Sequence, residues 1–141
     1  MSDSPFAFSS LVPGMELPSL EFEATRETLV RYAGASDDYV YLHWDQERVK
    51  SEGFPDVVVH GWLTAAWIAR AAQSVFPPDQ ADIRDFAIRY RRTSHPGKVT
   101  CGGTIVACRQ DAGERHIDLD LWAKDESGTV TTTAAMTLAL T

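Results

Sequence analysis

The C-terminal third of the chain shows the alternation of apolar and polar residues that is typical of antiparallel strands. Apolar side chains occupy every second position over residues 86–90 and again over 117–121, and turn residues follow both segments. Between them a long strand is predicted over Val99–Arg109, where Gly102-Gly103 favours a bulge or a strong bend. A last strand is predicted over Val130–Leu140.

Three segments before these strands show helical spacing instead. An extended segment over Leu17–Ala24 gives way at Thr25, a reasonable N-cap, to a helix whose apolar residues recur at three-and-four spacing. A second, short helix is predicted from Asp45 toward Glu52, where a glycine and a proline follow. The third segment, Trp62–Phe76, is apolar nearly all round, which predicts a helix buried on most sides.

This order of elements describes an α+β fold in which a curved antiparallel sheet wraps around a central apolar helix. The chain has 141 residues, enough for one such domain, and we expect residues 1–141 to form it. Its 44% hydrophobic and 23% charged residues are ordinary for a globular protein. The net charge of -7 disfavours nucleic acid as a partner. No apolar run is long enough to span a membrane.

The two cysteines and the N-terminus predict a cytoplasmic location. Cys101 and Cys108 lie on one predicted strand, so their Cα atoms would be about 23 Å apart and could not form a disulfide. The segment Met1–Phe8 has neither the positive charge nor the long apolar run of a signal peptide. We therefore expect an intracellular protein with reduced thiols.

A carboxylate and an imidazole, Asp38 and His43, lie five positions apart, and an apolar helix follows at Gly61. Five residues turn a helix by about 500°, and an odd separation points strand side chains to opposite faces, so the pair meets only if the chain turns between them. If it turns, the two side chains form a proton-transfer pair near a helix N-terminus. If it does not, Asp38 is a helix cap and His43 a partly buried histidine.

Two blocks around these residues resemble the motif of the MaoC-like dehydratases, the hot-dog-fold (R)-specific enoyl-thioester hydratases. The family pattern reads roughly Y-A-x-x-S-G-D-x-N-P-(I/L)-H-x-D and continues after a gap into H-G-(M)-L-T. In this chain Asp37 replaces the usual Gly, Val40 the usual Asn and Tyr41 the usual Pro. Loss of the Asn and the Pro predicts a loop that is less secured by local chemistry. The matching residues are Tyr32, Ala33, Ser36, Asp38, Leu42, His43, Asp45, His60, Gly61, Leu63 and Thr64.

The resemblance implies a hot-dog fold and the reversible hydration of a trans-2-enoyl thioester, carried on coenzyme A or acyl carrier protein, to a 3-hydroxyacyl thioester of (R) configuration. Asp38 would take a proton from the attacking water, while His43 would orient that water and help deliver a proton to the α-carbon. Gly61 would donate its backbone N–H to the thioester carbonyl, and His60 would hold the turn before the helix. We expect no cofactor and no metal, because coenzyme A or phosphopantetheine is part of the substrate.

Aromatic and apolar residues near the motif have two interpretations. Val40, Tyr41 and Trp62 could line a pocket for a bulky acyl group. They could equally be ordinary core or dimer packing, since large aromatic residues dominate cores and interfaces.

The densest basic cluster is formed by Arg89, Arg91 and Arg92. Strand alternation places Arg92 on the opposite face from the other two. These arginines have two interpretations. They could be solvated side chains of an edge strand, or they could contact a nucleotide phosphate or a carrier protein. His95 and His116 have no partners at metal-ligand spacing and are predicted to lie at the surface.

Three other functions stay open. A thioesterase on the same fold would direct water at the carbonyl carbon instead of the β-carbon. A non-catalytic or co-catalytic subunit would complete a heteromeric hydratase, and a binding module would hold an acyl group without reacting. Because a single hot-dog unit exposes a sheet edge, the resemblance also implies a homodimer or a heterodimer with a hot-dog paralogue.

Overall fold

The computed structural model describes residues 7–141, so the prediction made for Met1–Phe8 falls largely outside the described residues. The helices are α1 (Arg26–Ser36), α2 (Gln46–Ser51) and α3 (Gly61–Gln73), with short 3₁₀ turns at Phe8–Ser10 and Tyr41–His43. The strands are β1 (Glu16–Ala24), β2 (Ala81–Tyr90), β3 (Gly97–Asp111), β4 (Glu114–Lys124) and β5 (Val130–Leu140). The predicted sequence of one strand, then helices, then consecutive strands is confirmed.

The five strands form one antiparallel sheet in the order β1-β3-β4-β5-β2. On β4 the side chains of Ile117, Leu119 and Leu121 face the core and are at most 2% exposed. The alternation predicted for this strand is therefore confirmed. At one edge of the sheet β2 is exposed along most of its length, and its outer side has no neighbouring strand within residues 7–141.

The irregularity predicted at Gly102 and Gly103 belongs to the neighbouring strand. Leu17 of β1 pairs with Gly103, whereas Leu20 pairs with the residue two positions before it, so the extra residue lies in β1. Gly102 itself keeps regular pairing with β4. A Cβ at Gly102 would lie 2.7 Å from the Trp122 ring. Glycine is required here because a side chain approaches the backbone closely.

The apolar helix α3 packs against β1, β3 and β4. Its residue Trp67 stacks on Phe22 of β1, with ring centroids 5.2 Å apart. Burial on most sides was predicted, and the helix does bury most of its residues, but Trp62, Ala66 and Arg70 form an exposed stripe. None of the helices within residues 7–141 has the length and apolarity that crossing a bilayer requires.

Side chains cap the two shorter helices, and the first of these caps, Thr25, is the one that the sequence predicts. Thr25 Oγ1 accepts the N–H of Thr28 at 3.0 Å and so begins α1. The Asp45 carboxylate accepts the N–H of Arg48 at 3.1 Å, which makes Asp45 the cap of α2 and not its first helical residue. Both caps satisfy amides that have no acceptor inside the helix.

Candidate active site

The turn that brings Asp38 to His43 begins at the end of α1. Asp37 ends that helix in the left-handed conformation, with φ of 59°, which is the conformation that glycine most readily supplies. The Ser36 hydroxyl donates to the Tyr32 carbonyl at 2.7 Å and accepts the N–H of Asp38 at 3.4 Å. The chain therefore reverses at the position where the family pattern has glycine, even though this residue is aspartate.

Asp38 and His43 face each other across a gap. Asp38 Oδ2 lies 3.6 Å from His43 Nε2, and Asp38 Oδ1 accepts the N–H of Val40 at 3.4 Å. The His43 side chain is 11% exposed and that of Asp38 34%. The carboxylate is thus open to solvent beside an imidazole that is mostly buried.

The tautomer of His43 is fixed by the backbone. Its Nδ1 lies 2.6 Å from the carbonyl oxygen of Val58, and because a carbonyl can only accept, Nδ1 carries the hydrogen. In its neutral form the ring therefore presents a lone pair on Nε2 toward Asp38. Two acceptors separated in this way can each receive one hydrogen of a single water molecule.

The 3₁₀ turn that carries His43 is secured by the side chains of Arg48 in α2 and of Glu52, the residue that ends this helix. The Tyr41 hydroxyl donates to Glu52 Oε2 at 2.9 Å, and this hydrogen bond raises the pKa of Tyr41. The Arg48 guanidinium lies 3.5 Å from the centre of the Tyr41 ring and donates to Glu52 Oε1 at 3.2 Å. Tyr41 therefore replaces the fixed φ of proline with contacts to Arg48 and Glu52, and the loop that local chemistry secures less is held by these more distant side chains.

Gly61 begins α3 next to His43. The first N–H groups of a helix have no acceptor within it, and the preceding side chain provides no cap. A Cβ at Gly61 would lie 2.9 Å from Cζ of Tyr90, so the ring of Tyr90 covers this backbone. A cavity of about 360 Å³ opens here and is lined by His43, Val58, Val59, Gly61, Thr64, Tyr90, Arg91, Arg92, Thr93, Ser94 and Thr132.

Arg91 and Arg92 both line this cavity, which the sequence did not predict. The ladder between β2 and β5 ends at Tyr90, and beyond it the N–H groups of Arg91 and Arg92 donate to the same Thr131 carbonyl at 2.8 and 3.1 Å. Two consecutive amides that share one acceptor break the strict alternation of a strand. Both residues border the cavity, but the Arg91 side chain donates to Thr133 Oγ1 at 3.3 Å, so the placement of the two arginine side chains on opposite faces stays a prediction.

The predicted pocket residues occupy other positions in the isolated chain. Val40 is 49% exposed and Trp62 is 69% exposed, and Tyr41 packs between Arg48 and Glu52. None of the three lines the cavity beside His43 in the part of the chain that the structure describes.

Two histidines predicted at the surface are half-buried. The Nδ1 of His95 lies 2.9 Å from the Val57 carbonyl, and the His116 side chain is 16% exposed beside Glu114. The prediction took account only of metal-ligand spacing, whereas these rings are buried by contacts with distant segments.

Asp38, His43 and His60 each have an atom that could bind a metal ion, and these three atoms lie within 4.8 Å of one another. The rings of His43 and His60 are stacked, with centroids 3.7 Å apart and planes inclined by 18°. A metal about 2.0–2.1 Å from a nitrogen of each ring would have to lie well outside at least one ring plane, where the lone pair does not point. The arrangement suits hydrogen bonding better than metal binding.

Sequence reasoning missed Ser94 and gave Tyr90 no role in the site. Ser94 is 7% exposed and lines the cavity, and its buried hydroxyl has no hydrogen-bond partner among residues 7–141. The only sequence signal near it is the turn at His95-Pro96-Gly97, which marks a break between strands and not a site. Its position depends on the Val59 N–H, which donates to the Ser94 carbonyl at 2.8 Å.

A curved antiparallel sheet around a central helix is the hot-dog fold, and here Asp38 and His43 face each other near the N-terminal end of that helix. Residues 10–133 match the MaoC-like domain. The chain therefore belongs to the MaoC-like dehydratase family. A search of curated protein sequences found no match.

Solved structures show the same fold. A chain from the ChsH1-ChsH2 complex of Mycobacterium tuberculosis is 22% identical, with a TM-score of 0.80, and the match covers 92% of this chain and 98% of that one. The (R)-hydratase from A. caviae involved in PHA biosynthesis is 20% identical, with a TM-score of 0.84 and coverage of 94% and 98%. A MaoC-like dehydratase is 27% identical, with a TM-score of 0.84, over 96% of this chain and 42% of that longer one.

Proposed function

We propose that this chain catalyses the reversible hydration of a trans-2-enoyl thioester to a 3-hydroxyacyl thioester of (R) configuration. The observation that carries the proposal is the gap of 3.6 Å between Asp38 Oδ2 and His43 Nε2. With His43 neutral both atoms are acceptors, and His43 lines the cavity at the start of α3. Membership of a dehydratase family supports the same reaction type.

In the hydration direction, a single water molecule donates one hydrogen bond to Asp38 and a second hydrogen bond to His43. Its oxygen attacks the β-carbon while one of its protons passes to the Asp38–His43 pair, and the alkene electrons move to the thioester oxygen as an enolate. The Gly61 N–H binds that oxygen, where one donor is commonly worth about 3 kcal/mol of barrier. The pair then delivers a proton to the α-carbon, which completes the addition of water, and dehydration reverses each step.

The cavity also suggests how the substrate lies. It extends from His43 and Gly61 to Arg91 and Arg92, so we propose that the arm of the thioester carrier leaves along these two arginine residues. Guanidinium groups suit the phosphates of coenzyme A or phosphopantetheine. The carrier belongs to the substrate, and the reaction as written requires no resident cofactor or metal.

A second candidate role is a co-catalytic subunit of a heteromeric hydratase. Four large apolar residues around the catalytic turn, Tyr39, Val40, Trp44 and Trp62, are 49–69% exposed. The free edge of β2 would also be covered in a dimer with a second copy or with a hot-dog paralogue. In such a dimer these residues would wall the acyl pocket or pack against the partner. One of the similar solved structures is itself a two-protein complex.

The proposed location is the cytoplasm, and the proposed domain extent is the whole chain. Cys101 and Cys108 are both free thiols, which accords with a reducing compartment.

Loss of enoyl-thioester absorbance, followed with crotonyl-CoA and with a bulkier enoyl-CoA, tests the proposal. The purified chain should be active, and Asp38→Asn and His43→Gln should each abolish activity while circular dichroism shows an intact fold. Mass spectrometry should find a mass gain of one water on the intact thioester. Release of free coenzyme A instead would indicate a thioesterase, and an inert chain that gains activity with a co-expressed paralogue would indicate the heteromeric role.

A further inference from the structure

His60 is one of the most buried polar residues of the described chain, and the mechanism gives it no chemical step. It is 1% exposed. It precedes α3, but its side chain makes no capping hydrogen bond to the first turn of that helix. The expectation that His60 holds this turn therefore does not explain why a histidine is buried here.

The contacts of His60 are with the acid–base pair. Its Nε2 lies 3.2 Å from the backbone carbonyl of Asp38, so the Nε2–H donates to that oxygen. Its ring stacks on His43 at 3.7 Å, and the ring of Tyr32 meets it edge-on at 4.9 Å. One buried side chain thus contacts the backbone of the carboxylate residue and the face of the imidazole.

The protonation state of His60 follows from these contacts. With hydrogen on Nε2, the lone pair is on Nδ1, which is buried without a hydrogen-bond partner among residues 7–141. Burial lowers the pKa of His60, the Asp38 carbonyl opposes this, and His43 lowers it further. The titratable groups that face the ring are Asp38, His43 and Tyr32. A neutral ring can stack on His43 without repelling a proton that His43 carries during turnover.

We propose that His60 is a positioning residue that fixes the gap between Asp38 and His43, because its N–H anchors the Asp38 backbone and its ring supports the His43 imidazole. The expected effect on turnover rests on the proposed function, whereas the expected effect on the position of the His43 ring does not. Displacement of a catalytic group by about 1 Å can cost as much as about 100-fold in rate. Removing either contact should therefore slow turnover without weakening substrate binding.

Two substitutions separate the two contacts. His60→Phe keeps a ring that can stack but loses the N–H donor, whereas His60→Gln keeps a donor but loses the ring. His116→Gln is the matched control, because His116 is a mostly buried histidine on β4 whose Nδ1 also has no partner among the described residues. Folding of all three variants is checked by circular dichroism and thermal unfolding.

The kinetic measurement compares kcat with KM. Each His60 variant should lose about tenfold in kcat, with KM unchanged within about twofold, while His116→Gln keeps both values. A role in stability alone would lower the melting temperature and leave kcat per folded molecule unchanged. Folded variants at both substitutions with wild-type kcat would overturn the proposal.

Nitrogen-15 NMR of the His43 ring gives a readout that needs no turnover. The wild-type ring should show a single tautomer with hydrogen on Nδ1, as the Val58 carbonyl requires. His60→Gln should give a mixture of tautomers or broadened signals, because the unsupported ring can rotate. If the wild-type protein hydrates no enoyl thioester, the proposed function fails, and this spectrum alone decides on His60: an unaltered His43 signal in His60→Gln rejects the positioning role.

Discussion

Replacing Asp37 with glycine should stabilise the protein, because Asp37 is unfavourable at the end of α1 for two reasons. Its φ of 59° is a left-handed conformation, which costs an ordinary L-residue about 1–2 kcal/mol and aspartate somewhat less. Its charge also lies at the C-terminal end of the helix, where the dipole favours cations. Glycine removes both costs.

The size of the effect can be estimated from these contributions. Relief of the backbone strain is offset in part by the greater entropy of glycine in the unfolded chain, which leaves about 0.5–1 kcal/mol. Removal of the charge adds about 0.3 kcal/mol, because Asp37 is exposed and screened by salt. A total of about 1 kcal/mol would raise the melting temperature by about 3–5 °C in a domain of this size.

Two further variants separate the contributions. Asp37→Asn removes the charge but keeps a side chain in the left-handed conformation. Ala112→Gly is the matched control for the backbone effect, because Ala112 has φ of 49° in the turn between β3 and β4 and carries no charge. Urea and thermal unfolding at equal protein concentration should rank Asp37→Gly above Asp37→Asn and both above wild type, with the gain of Asp37→Asn lost at high salt. The reasoning is refuted if Asp37→Gly is no more stable than Asp37→Asn.

Three further predictions concern the sheet. Gly102→Ala should lower the free energy of unfolding by about 1–3 kcal/mol through overpacking, because its Cβ would lie 2.7 Å from the Trp122 ring; an unchanged urea midpoint would count against this close approach. Burial raises the pKa of Cys101 to about 12, so iodoacetamide at pH 8 should label Cys101 only in denatured protein, and mass spectrometry that finds the label on native protein would contradict this. The hydrogen bonds from Arg109 lower the pKa of Asp118 from its usual 3.8, so this pair stabilises the fold fully above that pH and its contribution is lost as pH falls through the lowered value. Asp118→Asn should therefore reduce stability in urea titrations at pH 7 and have a much smaller effect at pH 2, and an equal loss at both would reject the linkage.

The parts of the fold that the sequence predicts depend on local periodicity. On β4, apolar residues at every second position lie in the core, since one face of that strand packs on α3 and the other meets solvent. The helix from Gly61 is predicted equally well, because a long apolar segment has few stable positions outside a core. On β4 the pattern and the burial share a period of two, whereas on α3 the continuous apolar segment is buried except along the stripe of Trp62, Ala66 and Arg70.

The sequence does not predict where a strand becomes irregular when that position depends on pairing with a distant strand. Regular alternation is predicted through Arg92, but the ladder with β5 ends at Tyr90, and the Thr131 carbonyl then accepts the backbone N–H groups of both Arg91 and Arg92. Nothing within residues 86–95 specifies where that ladder stops. The irregularity beside Gly102 has the same cause, because the extra residue belongs to β1, which is far away in the sequence.

The prediction of the candidate acid–base pair, Asp38 and His43, is intermediate between these two cases. A spacing of five positions excludes a straight helix or strand but does not choose among turns. Asp37 reverses the chain at one end, and the Val58 carbonyl orients the His43 ring at the other. Tyr41 then takes the place of the family proline by binding Glu52 and Arg48 of the following helix. The turn can therefore bring Asp38 and His43 together without the glycine and the proline of the family motif, because contacts made after the turn supply the constraints that those two residues would supply locally.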